Sequence, residues 1–251
     1  MLNILITSGG TKVPIDRVRD ITNKSNGTFG TKIANAFLRH AGNEIENLTF
    51  FKARGSKSPF EFRFNLAKPH GGIQTDLALA MEYASKYADV YHEPEYVTFD
   101  DYRRGLIHLL MVQKWDIIIV AAAVSDYEVA NYVNGKVRSG STKKIELKDA
   151  VKVIHEVRGY QSDSVLVGFK LLVDSEDSEL IDAAHKVLVA GQCDFVVAND
   201  LSDIEKRQHR IMIVDGHEKP QWITMEGDNE SLAGLVARRS LRTHRERTGG
   251  K

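Results

Sequence analysis

Only one cysteine, Cys193, occurs in the 251 residues, so no disulfide within the chain can staple the fold, and this usage fits a reducing compartment. Its thiol precedes the apolar stretch Phe195 to Ala198 and reads as buried filler rather than as a nucleophile. Net charge is missing too: 34 basic residues balance 34 acidic ones, so no global field announces a nucleic acid or a membrane, and specificity must come from local sites. No apolar run reaches about 18 residues and the N-terminus has no signal-peptide pattern, which gives the expectation of a soluble, cytoplasmic protein. Internal repeats, low-complexity segments and metal-ligand spacing are absent, and the nine histidines are scattered. The Walker A motif and the dinucleotide fingerprint G-x-G-x-x-G are missing as well, because the early glycines fall at Gly9, Gly10, Gly27 and Gly30.

What is present is a glycine-rich, cationic stretch, Thr7 to Gly30, directly after the apolar run Leu2 to Ile6 and ahead of an expected helix from Thr28. Gly9-Gly10 lets bare backbone approach a ligand and aim N–H groups at an anion. Asn26 and Gly27 sit at the helix start, where free N–H groups and the helix dipole favour phosphate. Arg17, Arg19 and Lys24 add donors between the two corners, and Asn23 offers an amide that donates and accepts. The plain alternative is a turn with solvated cations; a strand and a helix on either side favour a ligand loop for a phosphate-bearing small molecule.

Further along, strands are expected at Glu44 to Phe51, Tyr96 to Phe99, Trp115 to Val124, Val165 to Lys170 and Asp194 to Ala198. Helices are expected at Thr75 to Ala88, with Thr75 as N-cap, at Asp100 to Gln113 and at Ser175 to Ala190, and a hairpin at Arg210 to Val214 and Gln221 to Met225 precedes a helix from Asn229 to Arg245. Residues 52–74 read as a long loop. The uniformly apolar Trp115 to Val124 implies burial on both faces, hence a parallel sheet covered by helices. Its end, Ala121-Ala122-Ala123-Val124-Ser125-Asp126-Tyr127, is a second candidate site, since ligands of open parallel sheets sit beyond the strands' carboxyl ends. Val129 to Lys148, with Asn134-Gly135, Lys136, Arg138, Lys143 and Lys144, is either a solvated hairpin or a basic flap closing over phosphates. The expected fold is α/β, Rossmann-like and doubly wound, with a mostly parallel sheet, helices on both faces and a small terminal hairpin. It is read as a single domain, 1–251, with an insertion at 52–94, a flap at 129–148 and a basic tail at 238–251 that reads as a solvated helix end rather than a nucleic-acid arm.

Taken together, SGGTKVPIDRVRDITNKSNGTFG, AAAVSDY, GKVRS, VGFKLLVD and DFVVANDLSD resemble, in order, the motifs of the phosphopantothenoylcysteine synthetase family, and most closely its monofunctional bacterial type. The resemblance implies a ligase of coenzyme A biosynthesis. In that reaction a nucleoside triphosphate, CTP ahead of ATP, with Mg²⁺, converts 4'-phosphopantothenate to an acyl nucleotidyl anhydride that L-cysteine attacks. It also implies a homodimer with no nucleic-acid or membrane partner. By the same likeness Lys136 lies on the triphosphate, Asn23 holds the acyl intermediate with Arg19 nearby, and Gly9, Gly10, Asn26, Gly27 and Ala122 line the phosphate and substrate side. Ala121, Ala123, Asp126, Val151, Lys152, Val153, Ile154, Phe169 and Lys186 would line the nucleotide side; no residue is implied as a metal ligand.

Three departures stand out. Val137-Arg138 replaces part of a lysine-rich triplet, Ala190 takes the place of a second phosphate lysine, and the 52–94 insertion has no assigned counterpart. Two rival readings are a catalytically weak nucleotide-sensing module of the same fold and an NADP-dependent short-chain dehydrogenase. The second rests on Tyr132 and Lys136 in a Y-x-x-x-K spacing with Ser125 upstream, although Asn134-Gly135 would break the helix that such a pair requires.

Overall fold

The computed structural model describes residues 1–59, 70–140, 144–206, 210–217, 219–220, 222–224 and 229–249. Lys143, Gln221 and Met225 of the expected hairpin, and the middle of the 52–94 segment lie outside these.

In chain order the elements are β1 (Leu2–Ser8), β2 (Lys12–Pro14), β3 (Asp20–Thr22), α1 (Thr28–Ala41), β4 (Ile45–Ala53), α2 (His70–Tyr87), β5 (Tyr91–His92), β6 (Glu95–Tyr96) and α3 (Phe99–Val112). Then follow β7 (Ile117–Val120), β8 (Tyr127–Val129), β9 (Leu147–Asp149), α4 (Ile154–Tyr160), β10 (Val165–Leu172), α5 (Asp177–Gly191), β11 (Phe195–Asp200), α6 (Leu201–Glu205), β12 (Arg210–Val214), β13 (Trp222–Thr224) and α7 (Asn229–Thr248). The main sheet runs β13-β12-β11-β10-β7-β1-β4-β5, with β6 also pairing β4. It is parallel from β5 to β11, and β12 and β13 are antiparallel additions at one edge.

Alternation along each central strand explains the unbroken apolar runs. Ile4, Ile6, Ile117, Ile119, Val165 and Val167 face one core with α1 and α7 residues Phe37, Val236 and Leu241, while Leu5, Ile118, Val120 and Leu166 face the other with Tyr102, Leu106 and Val157. A third cluster packs α5 residues Leu180, Ala184 and Leu188 on Val196, Ala198 and Met212. Each buried Val, Leu, Ile, Phe or Met among these contributes about 1.5–3 kcal/mol by leaving water, so the sheet is held from both sides. Among the described residues no helix is long and apolar enough to cross a membrane.

Several boundaries depart from the sequence reading. The strand expected at Trp115 to Val124 is regular only over Ile117–Val120; Ala121 to Val124 leave the ladder and bend into the crevice, retaining one bridge between Gly10 and Ala123. Thr75 is not an N-cap but lies inside α2, which already begins at His70. Part of the expected 52–74 loop is therefore helix, and Lys52 and Ala53 complete β4. The stretch Thr7 to Gly30 is not one open loop, because Lys12–Pro14 and Asp20–Thr22 pair as an antiparallel hairpin. The basic tail is less solvated than expected: Arg247 reaches the buried Asp194, which also pairs with Arg158 at 2.7 Å. Cys193 is half-buried against Gly168 and Gly191, and burial pushes its thiol up to about 12, as suits filler.

Glycine at position 9 is a packing requirement. Its φ is +87°, and an added Cβ would lie 2.7 Å from the Cβ of Ala53 and 2.9 Å from that of Ser56. Gly9→Ala is expected to lower folding stability by about 2–4 kcal/mol, the left-handed backbone and the overpacking adding together, measured as a shift of the denaturant midpoint.

Candidate active site

In the sheet order, β1 has β4 on one side and β7 on the other, so the chain reverses its winding between β1 and β7. That reversal opens a crevice at the carboxyl ends of β1 and β7, where open α/β sheets take ligands. Both stretches picked out by the sequence meet there. Gly10 bridges Ala123, the Ala123 N–H donates to Gly9 O at 2.8 Å, and the Thr11 N–H donates to Ala123 O at 3.2 Å. Hydroxyls fix the rest: Ala122 N–H donates to Thr7 Oγ1 at 3.2 Å, and Ser125 N–H to Thr11 Oγ1 at 2.9 Å. Behind the crevice floor, the buried Tyr96 hydroxyl donates to Ser8 O at 2.7 Å, and its ring packs against Phe51 and Tyr102. Burial raises the Tyr96 phenol well above its ordinary value, so it stays a neutral donor.

Asn23 is brought into this crevice by the hairpin. Its Nδ2 donates to Ala123 O at 2.6 Å, and its backbone oxygen occupies the space a Cβ on Gly10 would need, at 2.9 Å. Gly10 is therefore bare to admit Asn23. Among the described residues, the second amide hydrogen and the oxygen of Asn23 have no partner and face a ligand's needs with one donor and one acceptor. Gly27 is likewise shaped by the chain's own atoms: it caps α1 in the left-handed region, φ 78°, with Ser8 Oγ 3.0 Å from an added Cβ. Asn26 Oδ1 accepts from the Thr28 N–H at 3.1 Å and the Thr28 hydroxyl at 2.7 Å, so one of the N–H groups expected to meet phosphate is already used.

The segment Val129 to Lys148 is an antiparallel pair, β8 with β9, carrying a loop, and the loop folds back onto the β2–β3 hairpin. Lys136 is exposed there between two anchored neighbours: Gly135 O accepts from the Arg17 N–H at 2.9 Å and Val137 N–H donates to Asp16 Oδ2 at 2.9 Å. Arg19 is paired with Asp16, Nη2 to Oδ2 at 2.6 Å, and also donates to Val137 O at 2.7 Å. Asp16, absent from the sequence expectations, is the residue that joins these parts. It is 2% exposed; the hydrogen bond from Val137 N–H does most to hold its carboxyl well below the usual carboxylate range, burial opposes this, and Val18 and Arg19 reinforce it. The signal available in the sequence was local: an aspartate two and three residues ahead of N–H groups that it can accept.

Among the residues that the sequence resemblance assigns to the nucleotide, Asp126 and Lys152 come together as an ion pair at 2.5 Å, and Ala150 N–H donates to Asp126 O at 2.9 Å. Val151 and Lys152 are exposed and Val153 is buried. Ile154 opens α4 and packs on Gly168. Glu156 in that helix holds Arg103 of α3 at 2.7 Å. Phe169 meets Phe29 edge-on at 6.0 Å, and Ala121 packs with it against the first core. Lys186 stands exposed on α5, as does Ala190 one turn later. Nearby, Asp200 closes β11. Burial alone would raise its pKa, but donors from Ser175 and Ser202 hold it well below the ordinary range, fixing the turn after β10. Tyr132 and Lys136 lie in the β8–β9 loop and share no helix, so the dehydrogenase geometry is not formed.

The profile of the DNA/pantothenate metabolism flavoprotein C-terminal domain matches residues 1–49 and 108–239. The chain belongs to that family. It is 29% identical over 211 residues to the coenzyme A biosynthesis bifunctional protein of Thermococcus kodakarensis, covering 84% of this chain and 44% of that protein. This chain thus spans under half the length of that relative. It is also 29% identical over 262 residues to the human phosphopantothenate–cysteine ligase, covering 90% of this chain and 80% of the human one. Among solved structures, a Cab2 variant in complex with phosphopantothenate-cysteine superposes with a TM-score of 0.82 at 20% identity, covering 98% of this chain and 87% of that one, and shows the shared fold. The family profile has no match over residues 50–107.

Proposed function

We propose that the chain is a phosphopantothenate–cysteine ligase acting at the β1/β7 crevice. In the first half-reaction a carboxylate oxygen of 4'-phosphopantothenate attacks the α-phosphorus of the nucleotide, forming the acyl nucleotidyl anhydride and releasing pyrophosphate. In the second, the amine of L-cysteine attacks the acyl carbon, loses a proton, and expels the nucleoside monophosphate. The observation that carries this reading is the meeting of Asn23, Gly10 and Ala123 at one crevice with Lys136 held on the loop beside it.

Little covalent chemistry is asked of the protein; placed charges and dipoles do the work. Lys136 would neutralise the triphosphate as charge moves to the leaving pyrophosphate. Asn23 would hold the acyl group by its free amide atoms while Ala122, with a small side chain, leaves room for the amine. Arg19, its charge met by Asp16, would lie near the acyl end, and Gly9, Gly10, Asn26 and Gly27 would border the substrate phosphate. Asp126, Lys152, Val151, Val153, Ile154, Phe169, Ala121 and Ala123 would border the nucleotide, and Lys186 would reach its phosphates from α5. The likeness to monofunctional bacterial members favours CTP over ATP.

Among the described residues no three His, Cys, Asp or Glu side chains converge as a metal cage. Magnesium commonly keeps waters and binds through substrate phosphates with one or two carboxylates at most, so a site without a carboxylate cage suits a Mg²⁺ carried by the triphosphate. When bound it would spread the triphosphate's charge. A homodimer is proposed as well: Tyr127, Tyr132, Val133, Ile145 and Leu147 are each 42–51% exposed on β8, β9 and their loop, apolar side chains that a second copy would cover.

Purified protein with phosphopantothenate, cysteine and Mg²⁺ should release pyrophosphate with CTP, more slowly with ATP, and only when phosphopantothenate is present. Nucleotide binding without turnover would instead support the sensing module.

A further inference from the structure

We propose that Asp16 is a positioning residue, latching the loop that carries Lys136 onto the hairpin that leads to Asn23, so that the two halves of the site move as one unit. The division of labour between its oxygens carries the argument. Oδ1 accepts the Val18 and Arg19 N–H groups, each at 2.8 Å, and that alone completes the local turn. Oδ2 does something the turn does not require: it accepts the Val137 N–H at 2.9 Å, across 121 residues of sequence, together with the Arg19 guanidinium at 2.6 and 3.1 Å. Arg19 completes the clasp by donating to Val137 O at 2.7 Å, so both backbone groups of Val137 are held.

Two further backbone bonds continue the contact, Val133 N–H to Ile15 O at 3.2 Å and Arg17 N–H to Gly135 O at 2.9 Å. The backbone on each side of Lys136 is thereby pinned while its side chain remains exposed. On the other side of the latch, the hairpin's second strand, Asp20–Thr22, delivers Asn23 to Ala123. A buried, charge-assisted hydrogen bond at this joint is stronger than a neutral one, which is what a loop rich in exposed residues needs to keep one position.

The kinetic consequence rests on the ligase reading, whereas the structural one does not, so two measurements are paired. In the full-length protein, Asp16→Asn should speed amide hydrogen exchange at residues 133–137 by about tenfold or more, with little change in the β1, β7 and β10 amides. It should also slow formation of the acyl nucleotidyl intermediate by about ten- to a hundredfold and slow amide formation too, with the nucleotide KM nearly unchanged. Lys136→Ala should strike only the first half-reaction and Asn23→Ala only the second. On the first half-reaction, Asp16→Asn combined with Lys136→Ala should be no worse than Lys136→Ala alone, because a latch acts through the residue it places. Val137→Pro, which removes the N–H without touching Asp16, should reproduce the exchange and kinetic pattern even if Asp16→Asn folds poorly. Unchanged exchange in a folded Val137→Pro or Asp16→Asn protein overturns the latch. Faster exchange with unchanged half-reactions, or full additivity with Lys136→Ala, overturns the positioning role. A wild-type protein that makes no intermediate would count against the ligase reading, and exchange would then decide the latch by itself.

Discussion

Lys136→Ala should stop the reaction before any anhydride forms, lowering intermediate formation by about 10²–10³-fold, the scale on which a single placed donor acts on developing charge. The reasoning is electrostatic. Lys136 is exposed, so replacing it removes no core contact and the variant should fold like the parent. Among the described residues its ammonium has no acidic partner, so its charge is unspent before a polyanion arrives. Rapid-quench measurement of the anhydride and of pyrophosphate should show neither above background. Anhydride accumulating in this variant would remove Lys136 from the activation step.

Asn23→Ala should fail later. The anhydride should form at close to the parental rate and accumulate, while amide formation falls by about a hundredfold, because the group proposed to orient the acyl carbon for attack is gone. The geometry favours such a clean division: Asn23 is anchored by one amide hydrogen to Ala123 O, and among the described residues its remaining side-chain polar atoms are not engaged. A trapped anhydride chased with cysteine supplies the measurement. Normal amide yield from Asn23→Ala would contradict the assignment.

The central strands were legible because burial on both faces writes an unbroken apolar run, and α1 because its apolar spacing follows the glycine corner. Ile117–Val120 nonetheless reads too long from sequence, since Ala121 to Val124 are as apolar as the strand and only pairing reveals where they turn away. The β2–β3 hairpin is invisible to periodicity: each strand has three residues, and Ile21, an apolar one, is exposed. In α4, seven residues long, Val153, Ile154 and Val157 spell strand by propensity, and the cap residue Val153 offers no side-chain signal. His70-Gly71-Gly72 hides the start of α2 behind residues that helices disfavour. The crevice itself was legible from Gly9-Gly10 and the AAAVSDY end, but the reason for bare glycine was not. Gly10 makes way for Asn23 and Gly9 for Ala53, contacts set by tertiary packing. Asp16 escaped for a related reason, since an acid directly before Arg17 and three residues before Arg19 reads as a solvated charge until Val137, 121 residues away, is placed against it.

Isotope transfer tests the central claim most directly. With ¹⁸O in the carboxylate of 4'-phosphopantothenate, one complete turnover with CTP, Mg²⁺ and cysteine should leave label in the phosphoryl group of CMP, because that oxygen bridges acyl carbon and α-phosphorus in the anhydride and departs with the nucleotide. Label in inorganic phosphate, or amide product with no label in any phosphoryl group, would contradict the account.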